Sequence, residues 1–127
     1  MEELNSENYT HAIMAKEKPA VVMVKASWCS NCKAMMPVYE KVSEDLDDDA
    51  NFFYLTVDDN EQLIRSLKIM GVPTTLFYRH GTLVNKKLGK LTAKSISKAI
   101  KPLISLSESE ARNKEYRSLL SRLFGKK

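Results

Sequence analysis

Cys29 and Cys32 are the residues best suited to chemistry in this chain. They are its only two cysteines among 127 residues and lie three positions apart. Two are too few for the disulfide framework of a small secreted domain, so they point to chemistry rather than stapling. In disulfide exchange the thiolate, not the thiol, attacks. A cysteine at the start of a helix faces unpaired backbone amides and the positive end of the helix dipole, and both favour an anion. A thiol that titrates near ~8.5 when free can fall there to roughly 3.5 to 7.5. Cys29, so placed, is the nucleophile candidate. Cys32 falls on the same side of the first helical turn, as the more buried partner, close enough to resolve a mixed disulfide formed at Cys29. Ordinary structural cysteines would need neither this spacing nor a strand-loop-helix setting.

The elements around the pair must supply that strand, loop and helix. Ala20-Val21-Val22-Met23-Val24 is a short continuous apolar run of the kind that fills a strand buried on both faces. Ala26 and Ser27 lead out of it into the cysteine segment. From Cys29 onward, Met35, Met36, Tyr39, Val42 and Leu46 recur at spacings of three and four, a core-facing helical stripe. Pro37 should kink this helix and Asp47-Asp48-Asp49 end it. Upstream, residues 6–16 read as a helix capped by Asn5 or Ser6, with Tyr9, Ala12, Ile13 and Met14 on one face. Downstream, residues 52–57 read as a second buried strand, and Asn60 caps a short helix through Leu67. Gly71-Val72-Pro73 marks a turn, residues 74–78 a third strand, and His80-Gly81 a hairpin into a strand over 83–88. Thr92 opens a helix through Lys101, with Ile96, Ala99 and Ile100 inward, which Pro102 kinks or ends. Strands separated by helices, followed by one hairpin, imply a mixed sheet flanked by helices.

Trp28-Cys29-Ser30-Asn31-Cys32-Lys33, Pro37 and Gly71-Val72-Pro73-Thr74 together resemble the thioredoxin family. The resemblance runs from about Leu4 to Ile104, with Asp58, Gly81 and Gly89 also in family register. It implies an α/β thioredoxin-like fold and a thiol–disulfide oxidoreductase acting on disulfide-containing protein substrates. No cofactor beyond the cysteine pair is implied, and a flavoprotein thioredoxin reductase is a candidate partner. Pro73 corresponds to the family's cis-proline, which faces the cysteines and aims the backbone of Val72 at the substrate. An extended substrate segment could then pair with Val72 as an added strand. Trp28 would cover the cysteines and offer an apolar contact, while Gly71 and Gly89 keep the docking surface open. From the residues alone, a simple turn at Pro73 and core packing of Trp28 stay open as rivals.

The departures from the family pattern bear on mechanism. Ser30-Asn31 replaces the usual Gly-Pro, losing proline's rigidity and bringing two hydrogen-bonding side chains near the thiolate. The expectation is a pair more oxidising than a typical thioredoxin. Met23 stands where the family carries a buried Asp, and Tyr54 where the lysine paired with that Asp stands. The buried proton acceptor for Cys32 is thereby lost. Lys25 takes the place of an aromatic residue near the active site, either favouring thiolate or simply solvated. The family's first strand shortens to residues 1–4. These changes keep one rival in play, a redox-inactive peptide or protein binding module that uses Val72, Pro73 or the tail.

With 43% hydrophobic and 28% charged residues, the composition suits one folded domain, residues 1–104. No apolar run approaches the ~20 residues that span a bilayer. The acidic start lacks a secretory pattern, so a cytoplasmic location is expected. Residues 105–127 carry three of the four net positive charges and read as a basic amphipathic C-terminal helical extension. There Ser107-Glu108-Ser109-Glu110 forms a capping box ahead of an apolar stripe, Tyr116, Leu119, Leu120, Leu123 and Phe124. This helix either packs on its own domain or binds a partner. The five carboxylates between Glu44 and Asp49 read as a solvated helix end. A structural zinc site needs four ligands, and beyond the cysteines only His11 and His80 exist, so no metal is expected. No nucleic-acid motif occurs, and none is expected to bind.

Overall fold

The apolar run at residues 20–24 becomes the centre of the fold because both of its faces find cover. In the computed structural model, which describes residues 1–117, it forms a strand over Ala20–Lys25 with Val21 through Val24 completely buried. The strands are β1 Glu2–Glu3, β2 Ala20–Lys25, β3 Asn51–Thr56, β4 Thr74–Arg79 and β5 Thr82–Leu88. Among the described residues the helices are α1 Tyr9–Ile13, α2 Ser30–Asp45, α3 Glu61–Ser66, α4 Ala93–Ile104 and α5 Glu108–Asn113, with a 3₁₀ turn at Val57–Asp59. The sheet order is β1-β3-β2-β4-β5. β1 and β2 run parallel to β3, and β4 is antiparallel to both β2 and β5.

Alternation along the strands divides the core into two layers. Val21, Met23 and Phe77 face α2 and α4, meeting Cys32, Met35, Tyr39, Ile96 and Ile100. Val22, Val24, Leu76 and Tyr78 face the other way, against Tyr9, Leu55 and Ile64. Buried polar groups tie the layers together. The Tyr39 hydroxyl reaches the carbonyls of Val21 at 3.0 Å and Phe53 at 2.7 Å, pinning α2 to two neighbouring strands. Burial raises the pKa of this phenol, so it stays a donor. Arg79, almost fully buried, donates to the carbonyls of Leu103, Ile104 and Lys16. It thereby satisfies carbonyls at the end of α4 that the helix itself cannot.

Several elements differ from the sequence reading. α1 is a short helix that starts after Asn8, not at Ser6, because Asn5 spends its side-chain oxygen on the amides of Glu7 and Asn8 in a turn of its own. Asn60 does not cap α3 with its side chain, which instead donates to the Thr56 carbonyl at 2.8 Å. Consistent with the sequence reading, α2 runs through Pro37, and of the two outcomes left open at Pro102 the helix does not end there but runs to Ile104. At the hairpin, His80 and Gly81 both have positive φ, as a two-residue turn matched to strand twist requires. The Met14 side chain packs where a Cβ on Gly81 would lie.

The C-terminal extension contains the capping box, with Ser107 and Glu110 bonding each other's backbone amides. Its helix is shorter than the apolar stripe suggested and ends at Asn113, leaving Tyr116 outside it. Ala111 of α5 is buried, and the Tyr116 amide donates to the Leu83 carbonyl of β5 at 2.7 Å. Leu119, Leu120, Leu123 and Phe124 lie outside the described residues.

Candidate active site

β2 delivers the chain to the cysteines, and a turn closed by the Cys29 amide on the Ala26 carbonyl, 3.3 Å, aims it into α2. Cys29 is the N-cap of α2, with extended backbone at φ −95° and ψ 111°. Its Sγ accepts the Cys32 backbone N–H at 3.1 Å, the bond that a Ser or Asp oxygen makes at an ordinary helix start. Cys29 and Cys32 are joined in a disulfide with Cα atoms 5.2 Å apart. Cys29 is 7% exposed and Cys32 only 2%, so Cys29 is the more accessible sulfur.

The structure separates the readings that the residues left open at Trp28 and Pro73. Trp28 is 71% exposed, which excludes core packing. The Val72–Pro73 peptide bond is cis, and the Pro73 carbonyl accepts the Gly89 amide at 2.8 Å, linking the proline turn to the end of β5. Gly89 has φ +106°, and a Cβ on Gly71 would come within 3.3 Å of the Leu88 side chain. Ser30 and Asn31 are exposed on the first turn of α2, and among the described residues neither side chain makes a hydrogen bond. Lys25 is half-buried with its ammonium 5.3 Å from the centre of the Tyr54 ring, a cation–π contact. Met23 is completely buried and pairs across the strands with Tyr54, so the two departures from the family pattern are neighbours.

Two site residues escaped the sequence reading. Met70 is 91% exposed and Leu88 66% exposed, and each immediately precedes a glycine, Gly71 or Gly89. With Trp28 and Val72 they form an apolar rim, and a cleft of about 190 Å³ lies between Trp28 and the Met70-Gly71-Val72 segment, backed by Ile64 and Ile69. The detectable signal was an apolar side chain placed next to each of Gly71 and Gly89, in a loop at Met70 and at the last position of β5 at Leu88.

Asp58 fixes the loop that carries Trp28. Its carboxylate accepts the Ser27 hydroxyl and the Ser27 amide, the latter at 3.2 Å. These bonds, with smaller pulls from the Trp28 indole and the Lys25 ammonium, hold its pKa below the ordinary carboxylate value.

A family model described as Thioredoxin matches residues 1–102. The chain belongs to the thioredoxin family. An Aspergillus fumigatus thioredoxin is 33% identical over 92 residues, covering 67% of this chain and 84% of that one. The thioredoxin of Chlorobaculum thiosulfatiphilum is 31% identical over 98 residues, covering 77% and 91%. The structure of spinach chloroplast thioredoxin f superposes with a TM-score of 0.74 at 30% identity, covering 81% of this chain and 92% of that one. As a thioredoxin-family protein with its cysteine pair in a disulfide, the chain is a thiol–disulfide oxidoreductase, and the redox-inactive binding module is not favoured. Family chemistry runs on the cysteines themselves. Among the described residues no cluster of three or more His, Cys, Asp or Glu could hold a metal ion, and no helix is long and apolar enough to cross a membrane.

Because the folded-state pKa of Asp58 is depressed, its support of the loop is intact above the ordinary carboxylate range and is lost only as pH falls through that lower value. Trp28 is the only tryptophan, so its fluorescence reports the loop. An acid titration should show a Trp28 transition with a midpoint below the ~3.9 of a free Asp. Asp58→Asn should abolish it, and an unchanged transition in that variant would contradict the assignment.

Proposed function

We propose that Cys29 is the attacking sulfur and Cys32 the resolving one in exchange with protein disulfides. The observation that carries this reading is the position of Cys29 as N-cap of α2, its sulfur already accepting the Cys32 amide at 3.1 Å. In the dithiol state the Cys29 thiolate attacks a substrate disulfide, forming a Cys29–substrate bond and releasing one substrate thiolate, which takes a proton from water. Cys32, deprotonated to solvent, then attacks the Cys29 sulfur. The Cys29–substrate bond breaks, the second substrate thiol leaves, and the Cys29–Cys32 disulfide forms. Two electrons pass from the protein to the substrate, and the reverse sequence oxidises a substrate dithiol.

The substrate in this reading is an extended segment whose backbone pairs with Val72 beside cis-Pro73, with Trp28, Met70 and Leu88 taking its apolar side chains. Ser30 and Asn31 make the pair more oxidising than a typical thioredoxin by hydrogen-bonding the reduced sulfur, and Lys25 adds positive charge at the site's margin. Electrons are resupplied by a flavoprotein thioredoxin reductase. A cytoplasmic setting suits a chain whose only cysteines are this pair, because thiols are kept reduced there. Residues 1–104 form the redox domain, and from residue 105 a C-terminal extension follows, its Tyr116 amide bonded to β5 of that domain.

The direct test is reduction of insulin by dithiothreitol. Cys29→Ser should abolish catalysis, and Cys32→Ser should accumulate a mixed disulfide at Cys29. No catalysis by the reduced wild type would overturn this reading in favour of the binding module. For Ser30 and Asn31, a redox titration should place the pair above the ~−270 mV of thioredoxin. A potential at or below that value would rule out their proposed effect.

A further inference from the structure

One buried polar group has no role in the cycle described so far. Thr75 is 0% exposed, and among the described residues its hydroxyl is the one buried side-chain oxygen or nitrogen without a hydrogen-bond partner. The neighbouring Thr74 hydroxyl, by contrast, donates to the Gly71 carbonyl at 2.6 Å. The other buried polar side chains are also satisfied, for Tyr9 and Tyr78 bond each other, Tyr39 bonds strand carbonyls and Arg79 bonds the end of α4. A buried hydroxyl left unpaired is uncommon and costly in a folded core.

Its place in the sheet brings it to the cysteines. Thr75 pairs directly with Met23 of β2, and directly opposed residues share a face. Met23 belongs to the layer that holds Cys29, Cys32 and Met35. The pair lies one step from Val24–Thr74, where the β2·β4 ladder ends and the chain leaves for the cysteine loop. Thr75 is therefore a polar residue of β4 on the face that carries Cys32, two positions after cis-Pro73 and at the opposite end of the strand from Arg79.

In the disulfide neither sulfur requires a donor. Once the disulfide is open, Cys32 must form a thiolate at a position only 2% exposed, where burial disfavours charge. We propose that Thr75 is a positioning residue for the resolving step, its hydroxyl donating a hydrogen bond to the Cys32 sulfur in the reduced and mixed-disulfide states. The inference rests on the reading of Cys32 as the resolving cysteine. Cys32 gives its proton to solvent, its thiolate attacks Cys29 and displaces the substrate thiolate, and that thiolate takes a proton from solvent. Thr75 stays protonated throughout, supplying a dipole to the charged sulfur and losing its partner again when the disulfide reforms.

The other ionisable groups around this layer are Tyr39 and Glu40 of α2, Lys25 of β2, Tyr54 of β3, Lys87 of β5 opposite Thr75, and Lys98 of α4 in the groove with Lys87. All are unchanged when position 75 alone is substituted, so a shift between variants belongs to the hydroxyl.

The experiment follows the reaction of the reduced full-length protein with dithiobis-nitrobenzoate across pH. Attack by Cys29 releases one thionitrobenzoate, and resolution by Cys32 releases a second. Thr75→Val, which keeps the shape and removes the hydroxyl, should leave the first phase unchanged. It should slow the second about tenfold at neutral pH and raise its pH midpoint by about one unit, the two being the same shift. Thr75→Ser should restore both rate and midpoint. A second phase unaltered by Thr75→Val, or equally slow in Thr75→Ser, would overturn the role of Thr75. Absence of a second release in the wild type would instead overturn the assignment of Cys32.

Discussion

A sulfur that attacks disulfides at neutral pH must carry charge, yet a sulfur held in position by a folded core must lose water, and the two demands oppose each other. The first turn of α2 is where this chain reconciles them. Cys29 lies at the sheet's end, nearly buried, with the Cys32 amide already directed at its sulfur. That arrangement requires a helix whose start is held firmly against a strand's end. β2, central in the sheet and buried on both faces, provides the strand, and Tyr39, bonded to two strand carbonyls, anchors the helix about two and a half turns further on.

The apolar rim beside the cysteines follows from the same topology. Because β4 is the antiparallel neighbour of β2, the segment entering β4 lies at the end of the sheet from which the cysteine loop departs. There the cis bond before Pro73 turns the backbone, and Gly89 bonds back to Pro73 from the end of β5. Trp28, Met70 and Leu88 are left in solvent around this point, while comparably large side chains elsewhere are mostly buried. Apolar groups clustered on a surface mark places where another chain is received. The other end of β5, near Leu83, is treated differently. Along β5, the last strand of the sheet, the Tyr116 amide takes the Leu83 carbonyl and α5 packs through Ala111, covering backbone groups that would otherwise be free to pair with a foreign strand.

What could be read in advance was whatever depended on short-range pattern. The cysteine spacing, the apolar run of β2, the stripe of α2, Thr92 as a cap and the Ser107–Glu110 capping box all act over a few residues, and each is present. Where several local solutions competed, the pattern misled. Asn5 and Asn60 could each have capped a helix, but Asn5 closes its own turn and Asn60 bonds Thr56. At Pro102 the sequence left a kink and an end both open, and α4 continues to Ile104, where Arg79 from another part of the chain binds the last carbonyls. Met70 and Leu88 look like core residues by type, and only the packing shows that no core reaches them. Thr75 was invisible for a related reason, since threonine suits any strand and its lack of a partner is a property of the assembled layer.

The account depends most on the charge state of Cys29, and the most direct measurement is its pKa in the reduced protein, from thiolate ultraviolet absorbance against pH with Cys29→Ser as the reference. A midpoint clearly below the ~8.5 of a free cysteine, lost in Cys29→Ser, is the result the first turn of α2 requires. A Cys29 that titrates at or above ~8.5 would contradict it, because the helix start would then supply position without activation.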